Sequence, residues 1–439
     1  MTALDRLPRP VASGDDDARA ELRSQYGRVR DLTEALAAPL RPEDQVIQSM
    51  ADVSPTKWHR GHTTWFFETF LLQPRLGGYD VYDPDFGYLF NSYYEAVGPR
   101  HPRAERGLIA RPGVEEVARY RAHVDAAMQK LIDGCDTDAW PELSALTVLG
   151  LHHEQQHQEL LLMDIKHVLS NHIFDPTYVD ASFSDAAVER PLRMLPVDGG
   201  LVEAGHAAAP DRFAFDNESP RHKVYLEPFA IADRLVTAGE WLAFIDDGGY
   251  RKPELWLSDG WYAVQEHEWC APSYWREDAD GWSMFTLNGW RPVDPAEPVV
   301  HVSHYEADAF ARWWGGRLPS EFEWEHAVDT FGGLDPQAGL PFGAPHAARL
   351  HPAPATGDGL TQVNGGVWQW TASAYLPYPR FAPAAGAVGE YNGKFMSGQM
   401  VLRGSACITP TGHARTTYRN FFPPSSRWMF GGLRLATDA

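Results

Sequence analysis

His153 and His157 stand four residues apart in Leu151-His-His-Glu-Gln-Gln-His-Gln-Glu-Leu-Leu-Leu-Met163, a run of strong helix formers without Gly or Pro. On a helix, positions i and i+4 share one face, so both imidazoles can address a single ion. Leu149, Leu160, Leu161 and Met163 supply apolar positions that would carry the pair into a core. Imidazoles with no neighbouring Cys suit zinc, iron, copper or nickel. Two ligands do not complete a working site. Read from His153, the string His-Glu-Gln-Gln-His also satisfies the zinc-protease pattern, in which Glu154 would be the general base. The same spacing occurs on many helices that hold no metal.

A third ligand is available from His59 and His62, spaced i and i+3 in a second helical segment. Gly61 beside His62 permits close approach of another helix or loop, which favours His62 as the buried member. A hydrogen-bonded core or surface histidine accounts for His59. Three imidazoles on one face of an octahedron leave three positions open, as an iron centre that binds substrate and dioxygen together requires. The residues alone leave iron and zinc both open.

These residues need long helices to hold them, and the first part of the chain supplies the pattern. Leu22, Tyr26, Val29, Leu32 and Leu36 recur at helical spacing over about 18–38, and Pro39 closes the segment. Ser54-Pro55-Thr56 opens a second helix from Lys57 to Leu72, and further helices are expected over about 114–132 and 144–169. Four such helices, with a long irregular insertion between the second and third, make a bundle. Beyond about 171–191 Gly, Pro and Trp become frequent, and short β-like segments replace helical periodicity. That part is expected to be a loop-rich α+β domain, with short helices near Thr237–Asp246 and Tyr305–Trp314 and a surface loop at Arg380–Gly389.

Length and charge narrow the class. At 439 residues two domains are expected, and a formal charge of −21 argues against nucleic acid or an anionic membrane as partner. No stretch approaches the roughly 18 apolar residues of a membrane span. The first residues, with Asp15, Asp16 and Asp17 and no apolar run, are not expected to be a signal peptide. Cys135, Cys270 and Cys407 are odd in number and far apart, which suits a reducing cytoplasm rather than a disulfide framework.

Taken together, Lys57-Trp-His-Arg-Gly-His-Thr-Thr-Trp-Phe-Phe-Glu68 and Leu151-His-His-Glu-Gln-Gln-His-Gln-Glu-Leu160 resemble the two halves of the metal site in ergothioneine sulfoxide synthases. The segments Pro298–Trp314, Gly316–Glu325, Asn364–Thr371, Val401–Ser405 and Tyr418–Pro424 resemble the signatures of the second domain of those enzymes. The resemblance covers nearly the whole chain in order. It implies a DinB-like four-helix bundle over 1–180, followed by a C-type-lectin-like domain of the formylglycine-generating, sulfatase-modifying type over 181–439.

By position, the resemblance implies His62, His153 and His157 as Fe(II) ligands. It implies Gln156 as a contact to the imidazole of hercynine, and Asn420 and Phe421 as part of the loop holding its trimethylammonium end. Many relatives carry Trp at the position of Phe421. Tyr93 and Tyr94, in Phe90-Asn-Ser-Tyr-Tyr-Glu-Ala-Val-Gly-Pro-Arg-His-Pro-Arg103, look like the pair of the subgroup that uses free cysteine. One phenol would deliver a proton that steers the reaction to carbon–sulfur bond formation. Tyr375 and Tyr378 are a second source of such a phenol. Arg100, Arg103 and Arg106 follow the pair and could fork onto the amino-acid carboxylate.

The expected activity is therefore an O2-dependent coupling of a thiol, cysteine first, to hercynine, giving a sulfoxide. A selenoneine synthase joining hercynine to a selenosugar on the same scaffold is one alternative. A DinB-like zinc hydrolase or thiol transferase, or a lectin-like binding module with an inert bundle, are others. Departures from the family pattern at Arg60, Gly61, Gly366, Gln369, Ser405 and Ala406 could bear on the second substrate. Formylglycine generation is not expected, because Cys270 and Cys407 lack the neighbours that chemistry needs.

Overall fold

Apolar residues recurring every three to four positions fold the first part of the chain into four long helices. In the computed structural model, residues 16–181, 190–207, 209, 212–343, 345–383, 389 and 392–439 are described. Asp15, residues 384–388 of the expected surface loop, and residues 182–189 beside the expected domain boundary lie outside them. Helix α1 spans Asp16–Ala37 and buries the five apolar residues of its periodic stripe. Helix α2 spans Thr56–Phe67, α3 Val114–Gly134 and α4 Trp140–Ser170. Helix α4 starts a turn earlier than its apolar pattern suggests, with Pro141 in the first turn, where a missing N–H costs nothing.

Every residue of α2 is buried, and α2 packs against both α3 and α4. Its α-helical hydrogen bonding stops at Phe67, short of the expected Leu72, and gives way to a π-type turn over Glu68–Leu72. The buried Glu68 carboxylate accepts hydrogen bonds from the Tyr79 and Tyr120 phenols, each at 2.6 Å. The insertion between α2 and α3 folds back over α2 through a short helix, Phe86–Phe90. Gly61 is required there: a Cβ at that position would come within 2.3 Å of the Phe90 ring. Phe90 could not close over α2 against any larger residue.

The second part is a set of small sheets with helices. Its largest sheet has the strand order Asn420–Phe422, Met400–Gly404, Trp368–Ala374, Gly431–Leu433, with only the last pair parallel. A three-stranded sheet pairs Met194–Val197 and Ala436–Asp438 with Phe229–Ala232. Both expected short helices form, over Ala238–Asp246 and His304–Trp314. Two more, Ser258–Glu266 and Glu321–Phe331, were not evident from periodicity. The second of these opens on a capping box, Ser320 with Glu323. No helix among the described residues is long and apolar enough to cross a membrane.

The two parts share α4. Its Leu143, Val148 and Leu151 belong to the bundle core. Its Leu161, Leu162, Met163, Ile165 and Leu169 pack in one core with Trp241, Phe310, Trp368 and Leu402 of the second part. Each such leucine contributes about 1.5–3 kcal/mol by leaving water. His153 and His157 lie on the stretch of α4 between these two anchored ends, at the junction of the two parts.

The family departures are accounted for locally. Arg60 pairs with Glu34 at 2.6 Å and donates to Gln45 at 3.0 Å, on the side of α2 that faces α1. The Gln369 amide accepts from Trp324 and Arg434 and donates to the Val363 carbonyl. The Ser405 hydroxyl accepts from the Gly365 amide at 2.9 Å.

Candidate metal centre

Helices α2 and α4 bring His62, His153 and His157 together, with one candidate ligand atom from each inside a span of 4.8 Å. No other group of three His, Cys, Asp or Glu side chains among the described residues comes as close. His62 is fully buried, clamped between the stacked rings of Trp58 and Trp65. Its Nδ1 lies 2.6 Å from the Phe90 carbonyl, an obligate acceptor, so Nδ1 carries the proton and Nε2 is bare. That bare Nε2 faces His153 Nε2 at 3.1 Å. Ligand–metal distances of about 2.0–2.1 Å place facial nitrogens roughly 3 Å apart, so the spacing fits a first-row divalent cation.

Electrostatics point the same way. Burial holds all three imidazoles below the usual histidine range, with His153 down to about 3, and mutual repulsion adds to this at His62 and His157. Neutral imidazole is the form that ligates metal. His59 is not part of the cluster. It bridges instead from His157, with Nδ1 to Nδ1 at 2.8 Å, to Asp164, with Nε2 to Oδ2 at 3.0 Å.

Glu154 faces the other way. Burial alone would raise its pKa, but Arg30 at 2.8 Å and Arg121 at 2.9 Å, with the Thr33 hydroxyl, hold the carboxyl down at about 2. A carboxylate so committed between α1 and α3 is no general base, which removes the zinc-protease reading.

A cavity of about 280 Å³ opens in front of the cluster, between the bundle and the second part. His157 and His59 reach its wall, and His62 and His153 lie behind them. Gln156 also lines it, donating from Nε2 to the Tyr418 phenol oxygen at 2.5 Å. Across the cavity stand Asn420 and Phe421, on the edge strand of the largest sheet. Phe421 and Phe395, stacked at 5.9 Å, form an aromatic face of the wall, and Tyr375 stacks on Phe421 from behind at 4.1 Å. The Asn420 side-chain oxygen accepts from the Phe421 amide, which turns its NH2 group outward.

The tyrosine pair is split. Tyr93 lines the cavity, whereas Tyr94 is fully buried behind it against Trp65 and Phe70. Tyr375 and Tyr378 are not in the wall; their hydroxyls are engaged by Asn217 and Glu321. Tyr418 is the second phenol that is in the wall.

The three arginines also separate. Arg100 is outside the wall and pairs with Glu95 at 2.9 Å at the surface. Arg103 reaches the rim and donates to the Asp52 carbonyl at 2.6 Å. Arg106 is buried in the wall at 3% exposure, lies over the Trp58 ring, and gives its hydrogen bonds to the Ser54 and Ser92 hydroxyls. Burial and the neighbouring Arg103 charge depress its pKa. A buried guanidinium bonded only to hydroxyls is a ready anion acceptor.

Several wall residues went unforeseen. Asp164 follows His157 by seven positions, two helical turns along the same face, and that spacing was a usable signal. Glu159 lines the cavity with its carboxyl pushed up to about 7 by burial, while the Trp368 indole donates to it at 2.6 Å. Trp428 and His413 arrive from the distant end of the chain, and no local pattern announces them.

Comparison with known proteins agrees with this architecture. Residues 25–161 match the DinB superfamily, and residues 179–349 and 345–439 match the sulfatase-modifying factor enzyme 1-like domain. A hercynine oxygenase of Mycolicibacterium thermoresistibile is 32% identical over 96% of this chain and 95% of its own length. One from Mycobacterium tuberculosis is 32% identical over 88% of this chain and 91% of its own. The formylglycine-generating enzyme of Streptomyces coelicolor is 29% identical over 58% of this chain and 92% of its own length. With both parts matched in order and relatives aligned end to end, the chain belongs to the hercynine oxygenase family of oxidoreductases.

Proposed function

We propose that this protein joins a thiol, cysteine in the first instance, to the imidazole carbon of hercynine, using Fe(II) at His62, His153 and His157 and dioxygen as oxidant. The balance is one thiol, one hercynine and one O2 going to one sulfoxide and one water. The C–H and S–H bonds are replaced by C–S and S=O bonds, and both hydrogens leave in the water. The observation that carries this reading is the three-imidazole cluster behind a cavity whose walls offer an aromatic face on one side and a buried, acid-free guanidinium on the other. Iron, when bound, supplies the electron chemistry with dioxygen that amino-acid side chains lack.

The chain's own residues then have distinct tasks. Gln156, whose NH2 is spent on Tyr418, presents its carbonyl oxygen to an imidazole N–H. Phe421, backed by Tyr375, faces the quaternary ammonium, with a weaker cation–π attraction than tryptophan would give. Arg106, with Arg103 at the rim, receives the amino-acid carboxylate. Tyr93 supplies the proton that favours C–S bond formation over oxidation of the thiol alone.

The test is anaerobic loading with Fe(II), addition of hercynine and air, and product mass with cysteine, γ-glutamylcysteine or a selenosugar in parallel. A hercynine–cysteine sulfoxide supports the assignment. Zinc-supported turnover without oxygen would sink it, and a selenium-containing product alone would transfer the protein to the selenoneine branch.

A further inference from the structure

The hydrogen bonds behind His157 carry an inference about how the metal site is set, and it rests on the three-histidine reading above. Asp164 receives three donors. The Ser54 amide reaches Oδ2 at 2.8 Å, His59 Nε2 reaches the same oxygen at 3.0 Å, and the Trp428 indole reaches Oδ1 at 3.1 Å. A carboxylate so surrounded only accepts, so the proton between Asp164 and His59 is on His59 Nε2. A neutral His59 ring then has only a lone pair left, on Nδ1. That lone pair faces His157 Nδ1 at 2.8 Å, and one of two facing nitrogens must donate. The donor is therefore His157 Nδ1–H, which leaves the His157 lone pair on Nε2.

We propose that Asp164 and His59 form a carboxylate–imidazole–imidazole relay that fixes His157 in its Nδ1–H tautomer and aims its Nε2 at the metal. His59 is thus a positioning residue and not a fourth ligand, because both its nitrogens are committed. The relay parallels the Phe90 carbonyl that sets the tautomer of His62. It differs in reach. Trp428 belongs to the second part of the chain and Ser54 to the loop before α2, so the junction of the two parts holds the carboxylate that orients a ligand of the bundle. Both His59 and Asp164 are nearly inaccessible, at 2% and 3% exposure, which strengthens the bond between them.

The experiment uses the full chain, anaerobic, with Co(II) as a spectroscopic probe titrated against a competing chelator. In parallel, 15N-histidine-labelled, zinc-loaded protein reports imidazole tautomers through two-bond 1H–15N couplings. His59→Phe keeps a ring of similar size without a lone pair, and should weaken Co(II) binding by about 10- to 100-fold, the usual cost of losing an outer partner of a ligand. In the same variant His157 should keep its Nδ1–H but lose the downfield shift and slow solvent exchange that its hydrogen bond to His59 gives that proton. His59→Asn places a side-chain oxygen where Nδ1 stood and should recover affinity to within a few-fold of wild type. Asp164→Asn, which preserves shape, should weaken binding threefold or more, and carries the test if His59→Phe does not fold.

Equal losses in His59→Phe and His59→Asn would reduce the effect to packing and overturn the relay. So would unchanged affinity in His59→Phe or in Asp164→Asn. A wild-type protein that binds no Co(II), or a His157→Ala variant that binds as tightly as wild type, would instead overturn the three-histidine site itself.

Discussion

Tyr418 and Gln156 are 262 positions apart in sequence and 2.5 Å apart in space. Gln156 immediately precedes a proposed metal ligand on α4, while Tyr418 lies just before the edge strand of the largest sheet. The contact ties the amide of one part to the phenol of the other, with His413 at 3.4 Å on the far side of the hydroxyl. The amide cannot rotate without breaking it, so the direction of the Gln156 carbonyl is set by the junction and not by α4 alone.

Removing that hydroxyl is informative because the ring remains to fill the space. Tyr418→Phe is expected to raise the KM for hercynine about two- to tenfold, the equivalent of one net hydrogen bond of about 0.5–1.5 kcal/mol. The KM for cysteine should stay within twofold. Steady-state kinetics with each substrate varied in turn separates the two, and an unchanged hercynine KM would show that Tyr418 does not orient the amide.

Arg106 and Arg100 provide a matched contrast. One is buried in the cavity wall and bonded to hydroxyls; the other is paired with Glu95 at the outer surface. Arg106→Met should raise the cysteine KM by about 10- to 100-fold, as expected from losing a charge-assisted hydrogen bond of about 1.5–3 kcal/mol. Thermal stability should not fall in step, since the change also removes a buried charge without an acid partner. Arg100→Ala should change neither quantity by more than twofold. A cysteine KM that responds to Arg100 and not to Arg106 would place the carboxylate elsewhere.

The two tyrosines are distinguished by position. Tyr93 faces the cavity, and Tyr94 sits in the aromatic core behind it. Tyr93→Phe is expected to divert turnover toward oxidation of cysteine itself, read as the ratio of cysteine sulfinate to hercynine sulfoxide by mass spectrometry. Tyr94→Phe should leave that ratio within twofold of wild type. If Tyr94→Phe shifts the ratio and Tyr93→Phe does not, the acid acts from the buried position and the assignment is reversed.

Much of the site is legible in the sequence because it is local. His153 and His157 share a helix face, and Gly61 signals the close approach that Phe90 makes. The rest depends on pairings between distant positions. Arg60 finds Glu34 across 26 positions, Gln369 finds Arg434 across 65, and Trp428 finds Asp164 across 264. Arg60 and Gln369 look in sequence like changes near the site, yet both only satisfy buried polar groups away from the cavity. The three arginines show the same limit. Their spacing suggests one shared role, but the backbone of the insertion turns Arg100 outward and Arg106 inward. Short helices such as Ser258–Glu266 are held by tertiary packing more than by propensity, so their periodicity is too brief to read.

Lys166 links the same junction to pH. It extends from α4 into the second part, where its ammonium lies 2.6 Å from His301 Nε2 and over the Tyr274 and Phe430 rings. Burial pulls its pKa down to about 7, with Cys407 opposing and Arg291 adding to the shift. The unfolded lysine titrates near 10.4. Below pH 7 both states hold the proton and the cost of burying the charge is fully present. Between about 7 and 10.4 only the unfolded state holds it, so this group makes stability rise with pH across that window. Cys407, pushed up to about 12 by burial, opposes the trend once the unfolded thiol ionises near 8.5, so the clean interval is pH 7 to 8. His301, held neutral by burial, adds little there. Lys166→Met removes the titrating amine, and the stability of wild type relative to the variant should grow by about 1 kcal/mol between pH 7 and 8. Chemical denaturation at the two pH values checks this. Parallel changes in both proteins would mean that Lys166 keeps its proton in the fold, with His301 as the acceptor of a charged hydrogen bond.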